Sequence, residues 1–205
     1  MALKLINFIK WLLFKQPTLA RLTLNGAFRK VLHKIRPGKI LEIGAGEYNS
    51  NIHYITGNNH YFSLDLFCSV KPTVVGDACV MPFRDNSIDS IIMLEVIEHV
   101  LTPSLVIKEC RRVLKNNGIM IGSTRFICSQ HEAPNDYYRF ADDSIAMFLG
   151  DFSECKIDKL GNRLHVLIDI ITENFFFLRV FNRVLQYIPL KSSTCYSGLL
   201  FFAKK

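Results

Sequence analysis

The stretch Leu41–Gly46, which reads LEIGAG, decides the fold, because an apolar run passes directly into a turn that holds two glycines. This pattern predicts a buried strand followed by a tight loop. The glycines at positions 44 and 46 let a ligand approach the backbone closely. They also leave peptide N–H groups where a carboxylate or phosphate can bind. The stretch therefore predicts the first strand of a ligand-binding sheet.

Strand signals of the same kind recur along the chain and alternate with helical ones. They cover Lys39–Ile43, His60–Leu66, Thr73–Gly76, Ser87–Leu94 and Gly118–Ser123, and two more begin near Gly150 and Ser197. Between the fourth and fifth, SLVIKECRRVLK has apolar residues on one side of a helix and charges on the other. The alternation predicts an α/β fold, Rossmann-like, with a mostly parallel seven-stranded sheet flanked by helices.

Acidic residues stand at the expected carboxyl ends of these strands. Asp65 ends YFSLDL, 19 residues after Gly46, while Asp77 follows the third strand and Glu95 the fourth. The carboxyl ends of parallel strands meet at one edge of a sheet, so we expect these side chains to converge on one crevice. A carboxylate placed like that of Asp65 can accept both hydroxyls of a ribose. The sequence therefore predicts a nucleoside-containing cofactor.

The segments LEIGAG, YFSLDL, GDACVMPFRDNS and LEVIEHV stand in an order and spacing that resemble the class I S-adenosylmethionine (SAM)-dependent methyltransferases. The resemblance covers roughly residues 39–124 and is to the small-molecule branch that includes the quinone-biosynthesis C-methyltransferases. It implies SAM as the cofactor, with its methionine end at the glycine turn, its ribose on Asp65 and its adenine beside Asp77 and Ala78. The cofactor-binding set it implies is Glu42, Gly44, Ala45, Gly46, Asp65, Leu66, Asp77, Ala78, Glu95 and Val96. The family often carries a third glycine where this chain has Tyr48.

The loop after the fifth strand holds the candidate acceptor contacts. Its DYYRF string resembles methyltransferases of bacterial envelope-glycan and lipid-modification clusters, and it predicts acceptor contacts at Asp136, Tyr137, Tyr138 and Arg139. Tyrosines offer an apolar wall with a polar tip, and an arginine can hold a phosphate or carboxylate bidentately. The alternative is structural: Tyr138 packs, and Arg139 pairs with Asp142 or Asp143.

Two histidines are candidate catalytic bases for proton removal from an acceptor. His99 lies just past the fourth strand and His131 lies in the loop after the fifth. Histidine titrates near neutral pH, which suits this task. The alternative for each is an ordinary polar or helix-capping residue.

The charge of the chain is concentrated in its first 41 residues, which hold nine basic side chains and no acidic one. The remaining residues hold 16 basic and 18 acidic side chains. Lysines interrupt the apolar run of ALKLINFIKWLLFK, so it is too short to span a bilayer, but it suits a helix in an anionic membrane interface. A helix that packs over the sheet is the alternative.

We expect a basic helical arm at 1–38, a methyltransferase domain at 39–205, and a cytoplasmic protein peripheral on the inner membrane face.

An apolar insert at about 163–190 precedes the last strand. Four roles are possible for this insert: a lid over an apolar substrate, a membrane-contacting helix, a dimer interface, or a helix packed on its own sheet. The six cysteines have no metal-like spacing, so no metal site is predicted.

The sequence favours an enzyme that methylates a small-molecule, lipid-linked or glycan-linked acceptor. A non-catalytic SAM-binding scaffold is one alternative. A nucleic-acid methyltransferase is another, but no Asn/Asp-Pro-Pro-Tyr-like motif and no Pro-Cys pair occurs, so nucleic acid is an unlikely partner. A dinucleotide oxidoreductase would need glycine where Asn49 stands. The oligomeric state is not predicted.

Overall fold

The computed structural model describes residues 17–46, 60–130, 135–188 and 194–205. The predicted helix before Pro17 and the candidate base His131 lie outside these residues. Strands and helices alternate through most of the chain. The strands are β1 (Lys39–Ile43), β2 (His60–Asp65), β3 (Val74–Val75), β4 (Ile88–Leu94), β5 (Leu114–Arg125), β6 (Glu154–Leu160) and β7 (Gly198–Lys204). The α-helices are α1 (Leu19–Val31), α2 (Pro103–Val113), α3 (Asp142–Phe148), α4 (Arg163–Asn174) and α5 (Asn182–Leu185).

The strands form one seven-stranded sheet in the order β3-β2-β1-β4-β5-β7-β6. Four pairings are parallel, and β7 alone runs antiparallel to its neighbours β5 and β6. The predicted seven-stranded, mostly parallel sheet is therefore confirmed. The order reverses beside β1, so β1, β2 and β4 end at the edge where such sheets bind ligands.

Alternation along the strands supplies apolar residues to both faces of the sheet. On β1, Leu41 and Ile43 join the core under α2, while Ile40 joins Leu24 and Phe28 of α1 on the opposite face. The helix α1 begins at Thr18, whose hydroxyl accepts a hydrogen bond from the Arg21 N–H at 3.1 Å. The part of segment 1–38 that contains α1 thus packs on the sheet.

Strand ends differ from the prediction at β5 and β6. Strand β5 begins at Leu114 rather than Gly118, because Ile88 of β4 already pairs with Leu114 ahead of an irregular register. Strand β6 begins at Glu154 rather than near Gly150, because residues 147–152 close two turns through backbone hydrogen bonds.

The insert folds back onto the helix α1. The Asp169 carboxylate on α4 accepts hydrogen bonds from the Leu19 and Ala20 N–H groups at 2.7 and 2.8 Å. It therefore satisfies two of the unpaired donors at the start of α1 and faces the positive end of that helix. Burial raises the pKa of Asp169.

Replacing this carboxylate should destabilise the protein. We expect Asp169→Ala to lower the free energy of unfolding by about 1–3 kcal/mol, because two partly buried donors lose their acceptor. Chemical denaturation measures the change. Asp151→Ala, which removes an exposed carboxylate, is the control and should change stability by less than about 0.5 kcal/mol. Equal stability of the two variants would show that Asp169 does not cap α1.

Candidate functional site

A crevice of about 650 Å³ opens at the carboxyl edge of β1, β2 and β4. Its volume lies in the usual range for a small-molecule site. The lining residues come from the strand ends and the segments that follow them: Ile43, Gly44, Gly46, Leu64, Asp65, Leu66, Phe67, Val70, Gly76, Asp77, Ala78, Glu95, Val96, His99 and Val100. Eight of the ten predicted cofactor-binding residues are among them, so the structure brings the predicted set together.

The glycine turn after β1 has a shape that a side chain would obstruct. Gly44 has φ +72°, and a Cβ built on it would lie 2.4 Å from Cγ2 of Val96. Gly46 has φ +53°, and its N–H donates to the Asp65 carboxylate at 3.3 Å. Glycine at position 44 therefore allows the backbone and Val96 to meet at the floor of the crevice.

Asp65 stands at the end of β2 with part of its carboxylate already oriented. Oδ2 accepts from the Gly46 N–H, and Oδ1 accepts from the Phe67 N–H at 2.9 Å. Each carboxylate oxygen has further lone pairs, so the group can still accept hydrogen bonds from hydroxyls of a ligand. The exposed side chains of Leu66 and Phe67 give the same rim an apolar surface.

Glu42 and Ala45 do not line the crevice. Side chains alternate along β1, so Glu42 lies on the face opposite Ile43 and accepts a hydrogen bond from the Tyr61 hydroxyl. Burial raises the pKa of Glu42. Ala45 is buried behind the turn. The part of these two residues in cofactor binding therefore stays a prediction.

Glu95 lines the crevice, but two arginines hold its carboxylate. Arg21 of α1 lies 2.5 Å from Oε2 and Arg125 of β5 lies 2.6 Å from Oε1. Glu95 also has φ +56°, a left-handed conformation that costs a non-glycine residue about 1–2 kcal/mol. Strain of this kind clusters at functional sites. The arginine pairing was missed by the sequence reasoning, since Arg21 is far from Glu95 in the chain and no local pattern links them.

His99 lies in the wall of the crevice, and its ring is held by the loop that follows β5. Its Nδ1 lies 2.6 Å from the carbonyl oxygen of Asn135. A carbonyl oxygen only accepts, so Nδ1 carries the proton, and the neutral ring then has its lone pair on Nε2. This geometry suits a base.

The predicted acceptor contacts lie beside the crevice and do not line it. Arg139 holds Asp136 bidentately, with both N–O distances 2.5 Å. The predicted alternative partner Asp142 instead pairs with Lys159 at 2.9 Å. Arg139 is therefore paired within its own loop, and its contact with an acceptor stays a prediction.

The tyrosines of this loop attach it to the end of β4. The N–H groups of Tyr137 and Tyr138 donate to the Glu98 carbonyl oxygen at 2.9 and 3.3 Å, and the Tyr138 hydroxyl donates to the Leu101 carbonyl at 2.9 Å. Both rings stay partly exposed. The loop can therefore present tyrosine side chains next to His99.

Glu98, whose carbonyl oxygen holds this loop, has a fully buried side chain. Its Oε2 accepts from the Thr124 hydroxyl at 3.0 Å and its Oε1 from the Arg125 N–H at 3.3 Å. Burial, with a smaller effect of the nearby Glu95 carboxylate, raises the pKa of Glu98 to about 7.

The comparisons with known proteins agree with this geometry. Residues 41–122 match the family model described as a methyltransferase domain. A SAM-dependent methyltransferase from Archaeoglobus fulgidus has a similar structure, with a TM-score of 0.64, 15% identity, and coverage of 97% of this chain and 99% of that one. A Haemonchus contortus phosphoethanolamine N-methyltransferase in complex with S-adenosyl-L-methionine gives a TM-score of 0.63 at 18% identity; the match covers 89% of this chain and 52% of that one.

A third similar structure is that of the [4+2]-cyclase SpnF, with a TM-score of 0.58, 15% identity, and coverage of 91% of this chain and 81% of that one. No curated protein sequence matches the chain. At these identities the structures show the fold alone. Residues 41–122 therefore match a methyltransferase domain, and the chain has the fold of SAM-dependent methyltransferases. The predicted cofactor, SAM, is confirmed, whereas the quinone-biosynthesis-like branch and the loop resemblance stay predictions.

Removing the Asp65 carboxylate should weaken cofactor binding. Two hydrogen bonds to a charged group are lost, so we expect Asp65→Ala to raise the dissociation constant of SAM about a hundredfold or more. Calorimetric titration measures it, with Asp151→Ala as the control for an exposed carboxylate outside the crevice. Unchanged SAM affinity in Asp65→Ala would remove the ribose assignment.

The buried Glu98 carboxyl should make stability depend on pH. Between its ordinary pKa of 4.5 and about 7, the folded state keeps a proton that the unfolded state releases. Stability from this group is therefore lost as the pH rises through that window. Glu98→Gln removes the ionisation, so the variant should gain stability relative to the wild type between about pH 5 and about pH 8.

Chemical denaturation at about pH 5 and at about pH 8 tests this expectation. Glu154→Gln, an exposed site on β6, is the matched control and should run parallel to the wild type. A constant difference between Glu98→Gln and the wild type across the window would contradict the assignment of the ionisation to Glu98.

Proposed function

We propose that the chain is an enzyme that transfers a methyl group from SAM to a small-molecule, lipid-linked or glycan-linked acceptor at the cytoplasmic face of a membrane. The observation that carries the proposal is the composition of the crevice. His99 lines it together with the glycine turn, Asp65 and Asp77. The domain match and the fold support the reaction class. The concentration of basic residues in the first 41 positions supports contact with an anionic membrane surface.

The crevice fits the cofactor on several grounds. Gly44 lets the turn after β1 pack directly against Val96, where a Cβ would clash, and Asp65 can accept ribose hydroxyls. The Asp77 carboxylate is oriented by the Cys79 N–H at 2.8 Å, next to the small side chain of Ala78. Apolar side chains in the wall, such as that of Val70, offer a surface for the flat adenine ring.

The residues of the chain then have defined tasks in catalysis. When bound, SAM supplies a methyl group on a positively charged sulfur. The apolar walls exclude water and hold the acceptor in line, an alignment that can lower a barrier by up to about 7–11 kcal/mol. His99 takes the proton of an acceptor hydroxyl or amine on Nε2, while the Asn135 carbonyl retains the proton on Nδ1 and fixes the ring.

Loss of this base should lower turnover more than cofactor affinity. We expect His99→Asn to reduce the methyl-transfer rate by a factor on the order of a hundred or more. The measurement is release of S-adenosylhomocysteine over panels of phenolic, glycan-linked and lipid-linked acceptors, with SAM affinity followed by calorimetry. His60→Asn, an exposed histidine at the opposite end of β2, is the control. A full rate in His99→Asn would exclude it as the base, and no release by the wild type over all panels would favour a non-catalytic SAM-binding protein.

A further inference from the structure

The insert between β6 and β7 exposes apolar side chains on a surface that the domain leaves uncovered. On α4, Leu167, Ile170 and Ile171 are all more than 40% exposed. They are spaced three and four residues apart, so they form one stripe along the helix. Beyond α4, Phe181, Val184 and Tyr187 are 58%, 72% and 78% exposed. We call these six residues the insert face.

The insert face is separate from the surface with which the insert packs on the domain. The helix α4 turns Val166, Asp169 and Thr172 inward, and Asp169 binds the start of α1. The helix thus turns mainly polar side chains toward the domain and its apolar stripe toward solvent. A contiguous exposed apolar surface of this kind marks an interaction site.

The N-terminal segment enters the domain next to the insert. The Asn182 side-chain amide donates to the Pro17 carbonyl oxygen at 3.0 Å. Asn182 is buried, and in the sequence it lies between Phe181 and Val184 of the insert face. In the sequence before Pro17, ten of the thirteen residues from 2 to 14 are apolar, and the others are Lys4, Asn7 and Lys10. The apolar, lysine-containing sequence before Pro17 is therefore joined to the domain at a residue that contacts the insert.

We propose that the insert face docks on an anionic bilayer together with the N-terminal segment. This deepens the proposed function, because it names the surface on which the membrane part of that function rests. Apolar side chains with a tyrosine and flanking basic residues suit a bilayer interface, where the rings sit at the headgroup level. The +9 charge of residues 1–41 favours anionic lipid and would repel a second copy of the chain.

The N-terminal segment alone is a poorer occupant for the insert face. The sequence of this segment holds ten apolar residues in thirteen, more than the six side chains of the insert face could cover. Pairing the two would leave much of both in water, whereas a bilayer buries them together.

Docking in this way places the crevice at the bilayer surface. Pro17 and Arg21 are one turn apart, and Arg21 pairs with Glu95, which lines the crevice. The acceptor that fits is an amphiphile whose apolar chain stays in the bilayer while its polar head enters the crevice.

Vesicle flotation of the full chain tests the proposal. The probe is a vesicle of equal parts phosphatidylglycerol and phosphatidylcholine, compared with phosphatidylcholine alone. We expect Val184→Ser/Tyr187→Ser to lower vesicle affinity about tenfold or more, because two side chains no longer bury apolar area. Met147→Ser, a 71% exposed apolar site on α3, is the matched control and should float like the wild type. SAM affinity should stay unchanged in both variants, which checks the fold.

Other outcomes separate this proposal from the proposed function. Unchanged flotation of the double variant, together with loss of flotation on deleting residues 1–16, would overturn docking by the insert face and leave a membrane-bound methyltransferase. Loss of self-association in the double variant, with flotation intact, would assign the face to a second copy and also overturn it. No flotation of the wild type would overturn both membrane claims without touching SAM binding.

Discussion

The close contact between Gly44 and Val96 is the constraint on which the crevice depends. Strands β1 and β4 are neighbours, so the turn after one meets the first residues after the other. Only a residue without a Cβ permits this packing, because Gly44 has φ +72° and a Cβ there would stand 2.4 Å from Val96. The parallel register then brings Asp65 beside the same turn, where the Gly46 N–H reaches its carboxylate. A mononucleotide-like cofactor fits because three strand ends converge on one glycine turn.

Ion pairs and a helix cap connect the helix α1 to this edge of the sheet. Glu95 lies between Arg21 and Arg125, and Asp169 faces the start of α1. These contacts run through partly buried groups, where ion pairs matter more than at an exposed surface. The helix α1, the insert and the end of β4 therefore form one connected unit beside the crevice. An interaction at the insert face can in this way orient the site without contacting the cofactor.

Much of the fold could be predicted from the sequence, because buried strands and glycine turns leave local signals. Strand β1 has the predicted bounds, and eight of the ten residues predicted to bind the cofactor line the crevice at one edge of the sheet. The misses are of another kind. The Glu42 side chain lies on the opposite face from that of Ile43, and the alternation of side chains along β1 would have indicated this. Arg139 binds Asp136, three residues away, because loop geometry decides between nearby carboxylates. The pairing of Arg21 with Glu95 comes from helix packing, which no local pattern encodes.

Calorimetric titration of the wild-type protein with SAM, with S-adenosylhomocysteine and with NADH tests the central claim most directly. The geometry of the glycine turn and Asp65 predicts micromolar binding of both sulfur nucleosides and none of NADH, since position 49 lacks the glycine that a dinucleotide-binding turn uses. Binding of NADH, or of neither sulfur nucleoside, would contradict the assignment of this crevice to SAM.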